Sequence, residues 1–209
     1  MHHNHEITEG AKLQNILREL KSHAPFTALG ALTGIVIMVI VTLTEPSHDI
    51  LHDIFHILHP VHVFLSAIVT TSIYRHYQGS IWVAVVLGLV GSIAVCSISD
   101  ILLPYIGGKM LVADISFHLC LIEHAWLVLP GAFVGTAIGL FTPWTKVPHF
   151  GHVLVSTWAS LFYMTAFGEM DWLPLLPLVF IVLFVAVWIP CCASDIVFPL
   201  LFRKRAKRF

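Results

Sequence analysis

Apolar residues come in six long blocks along this sequence, at about 24–44, 60–77, 81–104, 122–142, 150–168 and 172–202. A helix needs about 20 mostly apolar residues to cross the hydrocarbon of a bilayer. The pattern therefore predicts an all-α integral membrane protein with six transmembrane helices. Ahead of the first block, Leu13, Ile16, Leu17 and Leu20 fall at helical spacing, with Lys12, Arg18, Glu19 and Lys21 between them. Residues 1–22 are expected to form an amphipathic helix lying at the cytoplasmic interface. That stretch has neither the apolar run nor the small-residue cleavage site of a signal peptide.

Composition agrees with the pattern. Of 209 residues, 57% are hydrophobic and only 11% charged, where a soluble domain carries about a quarter charged. The distribution of charge orients the chain. A basic tail at 203–209 (Arg203, Lys204, Arg205, Lys207, Arg208) follows the last block. Cytoplasmic loops collect Lys and Arg, so the tail is expected inside the cell membrane, and six spans return the N-terminus to the same side. Lys12, Arg18, Lys21, Arg75 and Lys146 then join the tail as cytoplasmic, and only Lys109 lies outside.

The chain also repeats itself in order. His23-Ala24, followed by Gly30 and Gly34, matches His124-Ala125, followed by Gly131 and Gly135. His59, His62, Ser66 and Thr70 match His149, His152, Ser156 and Ser160. Cys96, Ser99, Asp100, Ile101 and Pro104 match Cys191, Ser194, Asp195, Ile196 and Pro199. The spacing between copies changes only between blocks, where insertions are tolerated. The predicted repeats are 23–108, carrying a His-rich external insertion at 45–59, and 109–202. Three helices per copy is an odd number, so the second copy is inverted across the membrane, as in many secondary transporters.

An inverted arrangement sorts the polar residues into two clusters. His59, His62, Cys96, Asp100 and His124 fall toward the outer face. His23, His149, His152, Cys191 and Asp195 fall toward the inner face. His-x-x-His puts two imidazoles on one helical face, and Cys and Asp four apart share another. Ser66, Ser156, Ser99 and Ser194 stand where their hydroxyls can hold the ligands by hydrogen bonds. Thiolate and imidazole together select zinc first, with Fe, Mn, Co, Ni or Cu accepted by the same donors. In the insertion, His48, His52 and His56 step by one turn along a helix beginning near Pro46, a face able to collect cations outside. Plainer readings exist. Ser-Asp-Ile-x-x-Pro can cap a helix after a break, Cys packs as a small apolar residue, and the glycines let helices approach.

The function these features favour is a membrane transporter or exporter of divalent transition-metal ions. Metal ligands must lose protons to bind, which suggests proton coupling. Its partners would be the lipid bilayer, metal ions and protons, with no nucleic acid and with a homo-oligomer allowed. The sequence carries no phosphate-binding loop, Gly-x-Ser-x-Gly or His-Glu-x-x-His, so ATP hydrolysis is not expected within it. Two rivals are an intramembrane zinc-dependent hydrolase and a membrane electron carrier with bis-His haem.

Overall fold

The structure is a computed structural model. It describes residues 3–76, 80–111, 114–142 and 146–192, and the side chains of 21, 24–76, 80–111, 114–142 and 151–191. It is mostly helical, at 88%. Helix α1 runs His3–Thr44 with Pro25 inside it, and α2 runs His48–His76 with Pro60 inside it. Helix α3 occupies Ile81–Met110. A two-residue strand, β1 (Asp114–Ile115), leads to a single helical turn, α4 (Cys120–Glu123), and then to α5 (Ala125–Phe141). Helix α6 (Lys146–Phe167) ends in β2 (Gly168–Glu169), which pairs antiparallel with β1, Asp114 opposite Glu169 and Ile115 opposite Gly168. A 3-10 turn at Leu173–Leu175 opens into α7 (Leu176–Cys192).

Four stretches are long and apolar enough to cross a membrane: Ala24–Thr44, His48–His76, Ile81–Met110 and Leu173–Cys191. Helix α5 is apolar but shorter, and α6 is long but interrupted by His152, Ser156, Thr157, Ser160 and Thr165. The molecule is thus an all-α protein suited to a lipid bilayer. The basic tail, Asp195 and Ser194 lie outside the described residues, as do the side chains of His23, His149 and the N-terminal amphipathic pattern.

Burial divides the helices by place. Of the α2 span 61% is buried, against 28% for the spans of α1 and α7. Helix α2 packs on α5 and α6, and α1 packs on α6 and α7. The outer helices turn Val36, Leu43, Phe133, Phe141 and Ile181 to the surroundings, which costs little where the surroundings are hydrocarbon. Glycine permits the tight contacts. A Cβ on Gly135 would stand 2.3 Å from the carbonyl oxygen of Phe64, and one on Gly30 would stand 2.9 Å from Thr157 Oγ1.

Two departures from the sequence pattern shape the polar interior. The pattern separated an external insertion from a span beginning at 60, but α2 is one helix from His48. Pro60 denies the His56 carbonyl its usual N–H partner, yet the helix continues on both sides of it. In α3, Leu87–Gly91 and Ile98–Leu102 widen into π turns. Pro104 has no N–H for the carbonyl of Asp100 four residues back, and a widened turn is one way to absorb that loss. Within the second of these turns Ser99, Asp100 and Ile101 are all fully buried.

Candidate metal centre

The first polar group lies where α2 meets the 116–124 segment. The segment is held from both sides. Ser116 N–H donates to the Phe167 carbonyl at 2.9 Å, beside the β1–β2 pair, and His118 N–H donates to the Tyr163 hydroxyl at 3.1 Å. Helix α4 then makes one turn and breaks at His124, whose N–H donates to the Cys120 carbonyl at 2.7 Å. This short turn, rather than a long helix, brings His118, Cys120 and His124 back toward His56. Each of His56, His118, Cys120 and His124 offers one ligand atom, and the four atoms lie within 4.8 Å of one another.

Hydrogen bonds orient two of these rings. His56 Nδ1–H donates to the His52 carbonyl at 2.8 Å, and His118 Nδ1–H donates to Glu123 Oε2 at 3.1 Å. With the protons held at Nδ1, the lone pairs sit on the two Nε2 atoms, which face each other at 3.1 Å. Two nitrogens so close need a positive charge between them, either one proton shared as an N–H···N hydrogen bond or a metal ion. With zinc–nitrogen bonds of about 2.0–2.1 Å, the edge of a tetrahedral site is about 3.3–3.4 Å, close to this separation. A carboxylate or carbonyl behind each imidazole is the usual support of a metal-binding histidine. His124 Nδ1 is buried with no hydrogen-bond partner among the described residues.

The electrostatics suit a cation. Burial, with the neighbouring His124 and His52 adding to it, holds His118 below its ordinary range, while Glu123 pulls the other way. A neutral imidazole is the ligating form. Burial, helped by Glu123 and Asp100, pushes the Cys120 thiol up to about 12. Without a cation it stays protonated, and a coordinated metal would remove that proton outright.

The second group is deeper and centres on Asp100. His59 and His62 each donate from Nδ1 to Asp100 Oδ2, at 2.9 and 2.8 Å. Ser99 and Ser156 hydroxyls donate to Oδ1, at 2.7 and 2.9 Å. A carboxylate in an apolar interior is costly unless its oxygens are satisfied, and four donors satisfy this one. The side chain therefore does not cap a broken helix. It ties α2 and α6 to the π turn of α3. Cys96 Sγ lies 3.7 Å from His62 Nε2. His152 stands beside His62 with ring centroids 5.6 Å apart, and the Cys191 thiol donates to Ser156 at 3.9 Å.

The structure thus brings together His59, His62, Cys96 and Asp100, with His152 and Cys191 adjoining them. Ser66 is buried on α2. His124, expected beside Asp100, sits with His56 instead. His48 is exposed and His52 half-buried. His118, Cys120 and Glu123 were not singled out by the sequence reading. The signal was His118-x-Cys120-x-x-x-His124, a dense run of donors between two apolar blocks.

The fold and this site define a membrane protein with a His/Cys group at metal-binding distances. The chain matches no protein-family model, no curated protein and no solved structure.

Proposed function

We propose that this protein is a transporter of divalent transition-metal ions, with zinc the first candidate, set in the cell membrane with both termini cytoplasmic. The observation that carries the reading is the pair of oriented Nε2 atoms, His56 and His118, 3.1 Å apart with Cys120 and His124 beside them. That spacing favours a tetrahedral ion. The two axial nitrogens of a haem would stand about 4 Å apart across the iron at similar bond lengths. The ion would be cargo rather than a resident cofactor. Protons are the expected counter-ions, because a binding metal displaces them from its ligands.

In this reading the architecture is six spans in two inverted repeats, 23–108 and 109–202. Equivalent glycine contacts support it. A Cβ on Gly34 would meet Thr157 Cγ2 at 3.6 Å, and one on Gly135 would meet Ala67 Cβ at 3.0 Å. Gly34 matches Gly135 in the repeat, and Ala67 matches Thr157, one residue after the matched Ser66 and Ser156. The first helix of each copy thus rests on the second helix of the other. His59, His62, Cys96 and Asp100 would serve one half of the path. His152 and Cys191, with His23 and His149, whose side chains are not described, and Asp195, outside the described residues, would serve the other. The exposed His48 and half-buried His52 continue the α2 donor face outward as a collecting surface.

Metal flux into liposomes tests the reading. Wild type is expected to carry zinc. The Asp100→Asn/Asp195→Asn variant should lose at least about tenfold in rate, since Asp100 holds two ligand histidines in place. Equal flux from both proteins with Zn, Fe, Mn, Co and Ni would overturn it.

A further inference from the structure

His118 is one of the four donors of the first site, yet the chain that carries it has no regular structure. Residues 116–119 join the two-residue strand β1 to the single turn of α4. A helix or sheet places its own backbone groups, whereas an irregular stretch has to find partners elsewhere. His118 N–H finds one in a side chain, the Tyr163 hydroxyl on α6, at 3.1 Å. The same hydroxyl donates to the Ser116 carbonyl at 3.4 Å. One phenol therefore holds the chain at the ligand and two residues before it. Tyr163 is fully buried and His118 nearly so. Loss of the hydroxyl would leave a buried N–H unpaired, which is costly.

The rest of the mount comes from neighbouring rings. Phe167, one turn beyond Tyr163 on α6, accepts the Ser116 N–H at its carbonyl, at 2.9 Å. Its ring lies on His118 with centroids 4.6 Å apart and 9° between planes. The Tyr163 and Phe167 rings touch at 5.0 Å, and Phe55 on α2 meets them at 5.4 and 5.5 Å. This packing fixes the plane of the imidazole, and Glu123 fixes its tautomer. The Tyr163 hydroxyl fixes the backbone at His118 itself. Coordination bonds tolerate only a few tenths of an ångström in ligand placement, so a shift of that backbone reaches Nε2.

We infer that Tyr163 is a positioning residue for the site of His56, His118, Cys120 and His124. Its hydroxyl holds the His118 backbone where Nε2 completes a four-coordinate site for a divalent cation such as zinc or cobalt. Without that hydroxyl the 116–118 stretch relaxes, His56, Cys120 and His124 remain, and water takes the fourth position. This rests on the metal-binding part of the reading above and not on transport, so its test needs binding alone.

Wild type, Tyr163→Phe and Tyr74→Phe are compared as full chains in detergent. Phenylalanine keeps the ring against Phe55 and Phe167 and removes only the oxygen. Tyr74, also buried, lies near the far end of α2 and controls for loss of a buried hydroxyl as such. Cobalt(II) chloride reports geometry. Wild type should show the intense visible bands of a tetrahedral ion, and Tyr163→Phe should weaken and shift them at saturating cobalt. Zinc affinity, by competition with a chromophoric chelator, should fall about 10–100-fold in Tyr163→Phe and stay within about twofold in Tyr74→Phe. A merely structural hydroxyl would lower the melting temperature and leave the cobalt bands intact. Intact bands and affinity in folded Tyr163→Phe, or an equal loss in Tyr74→Phe, would overturn the positioning role and spare the metal site. Wild type that binds neither ion would overturn both. If Tyr163→Phe does not fold, amide exchange in wild type decides. Zinc should slow exchange of the His118 N–H at least about tenfold, since ion and hydroxyl then hold the same residue. Exchange that zinc leaves unchanged would overturn the proposal.

Discussion

Glu123 is half-exposed and bonds only one atom of the first site, His118 Nδ1 at 3.1 Å, yet it fixes which nitrogen of that ring is free. Removing such a support commonly costs about 10–100-fold in metal affinity. Glu123→Gln should weaken zinc binding by about that factor while leaving thermal stability unchanged, measured by competition against a chromophoric chelator. Unchanged affinity would mean that the ring is held by packing on Phe167 rather than by the carboxylate. Part of this site is legible one residue at a time. His59 and His62 share a face by helical spacing, and a buried Asp implied partners. The sequence did not reveal that both Asp100 oxygens are taken by hydrogen bonds, so that the acid orients two histidines and two serines. Nor did spacing disclose His118 and Cys120. They reach His56 through a one-turn helix and a bend, where no regular period survives.

At the scale of elements, apolar runs located the four helices among the described residues that are long and apolar enough to cross a membrane, because a span must be apolar for about 20 residues whatever it packs against. Ends and irregularities were less visible. Helix α2 begins at His48 because the amphipathic insertion and the apolar block share one continuous helix, and Pro60 at their join only looks like a boundary. The π turn at Ile98–Leu102 precedes Pro104, and a proline's missing N–H does not announce in the sequence whether the helix kinks, breaks or widens. The β1–β2 pair joins segments far apart in sequence and leaves no local pattern. Close helix contact makes a prediction here. Gly135 has the Phe64 carbonyl 2.3 Å from a Cβ position, whereas Gly151 has only Leu65 Cδ1 at 3.6 Å. Gly135→Ala should destabilise by about 1–3 kcal/mol, the usual cost of overpacking. Gly151→Ala should be near neutral, since it adds ordinary contact and favours helix. Thermal unfolding in detergent distinguishes them, and equal melting temperatures would contradict the packing described for α2 and α5.

The whole molecule encloses a polar interior in an apolar shell. Helices α2 and α6 carry histidines and hydroxyls that would weaken them as lipid-facing spans, and they are the helices enclosed by the others. That inversion makes sense if the interior handles a polar cargo. The expected two clusters were assigned to opposite faces, whereas His62 and His152 have ring centroids 5.6 Å apart and Ser156 donates to Asp100 at 2.9 Å. The sequence placed residues along their helices. It did not show that the helices cross where those residues meet.

The most direct test of the central claim is the metal content of the purified protein, by elemental analysis after equilibration with zinc and removal of the excess. The wild-type chain should retain at least about one equivalent, and a His118→Ala/Cys120→Ser variant of unchanged fold should lose it. Wild-type protein without bound metal, or a variant that holds as much as wild type, would contradict the account.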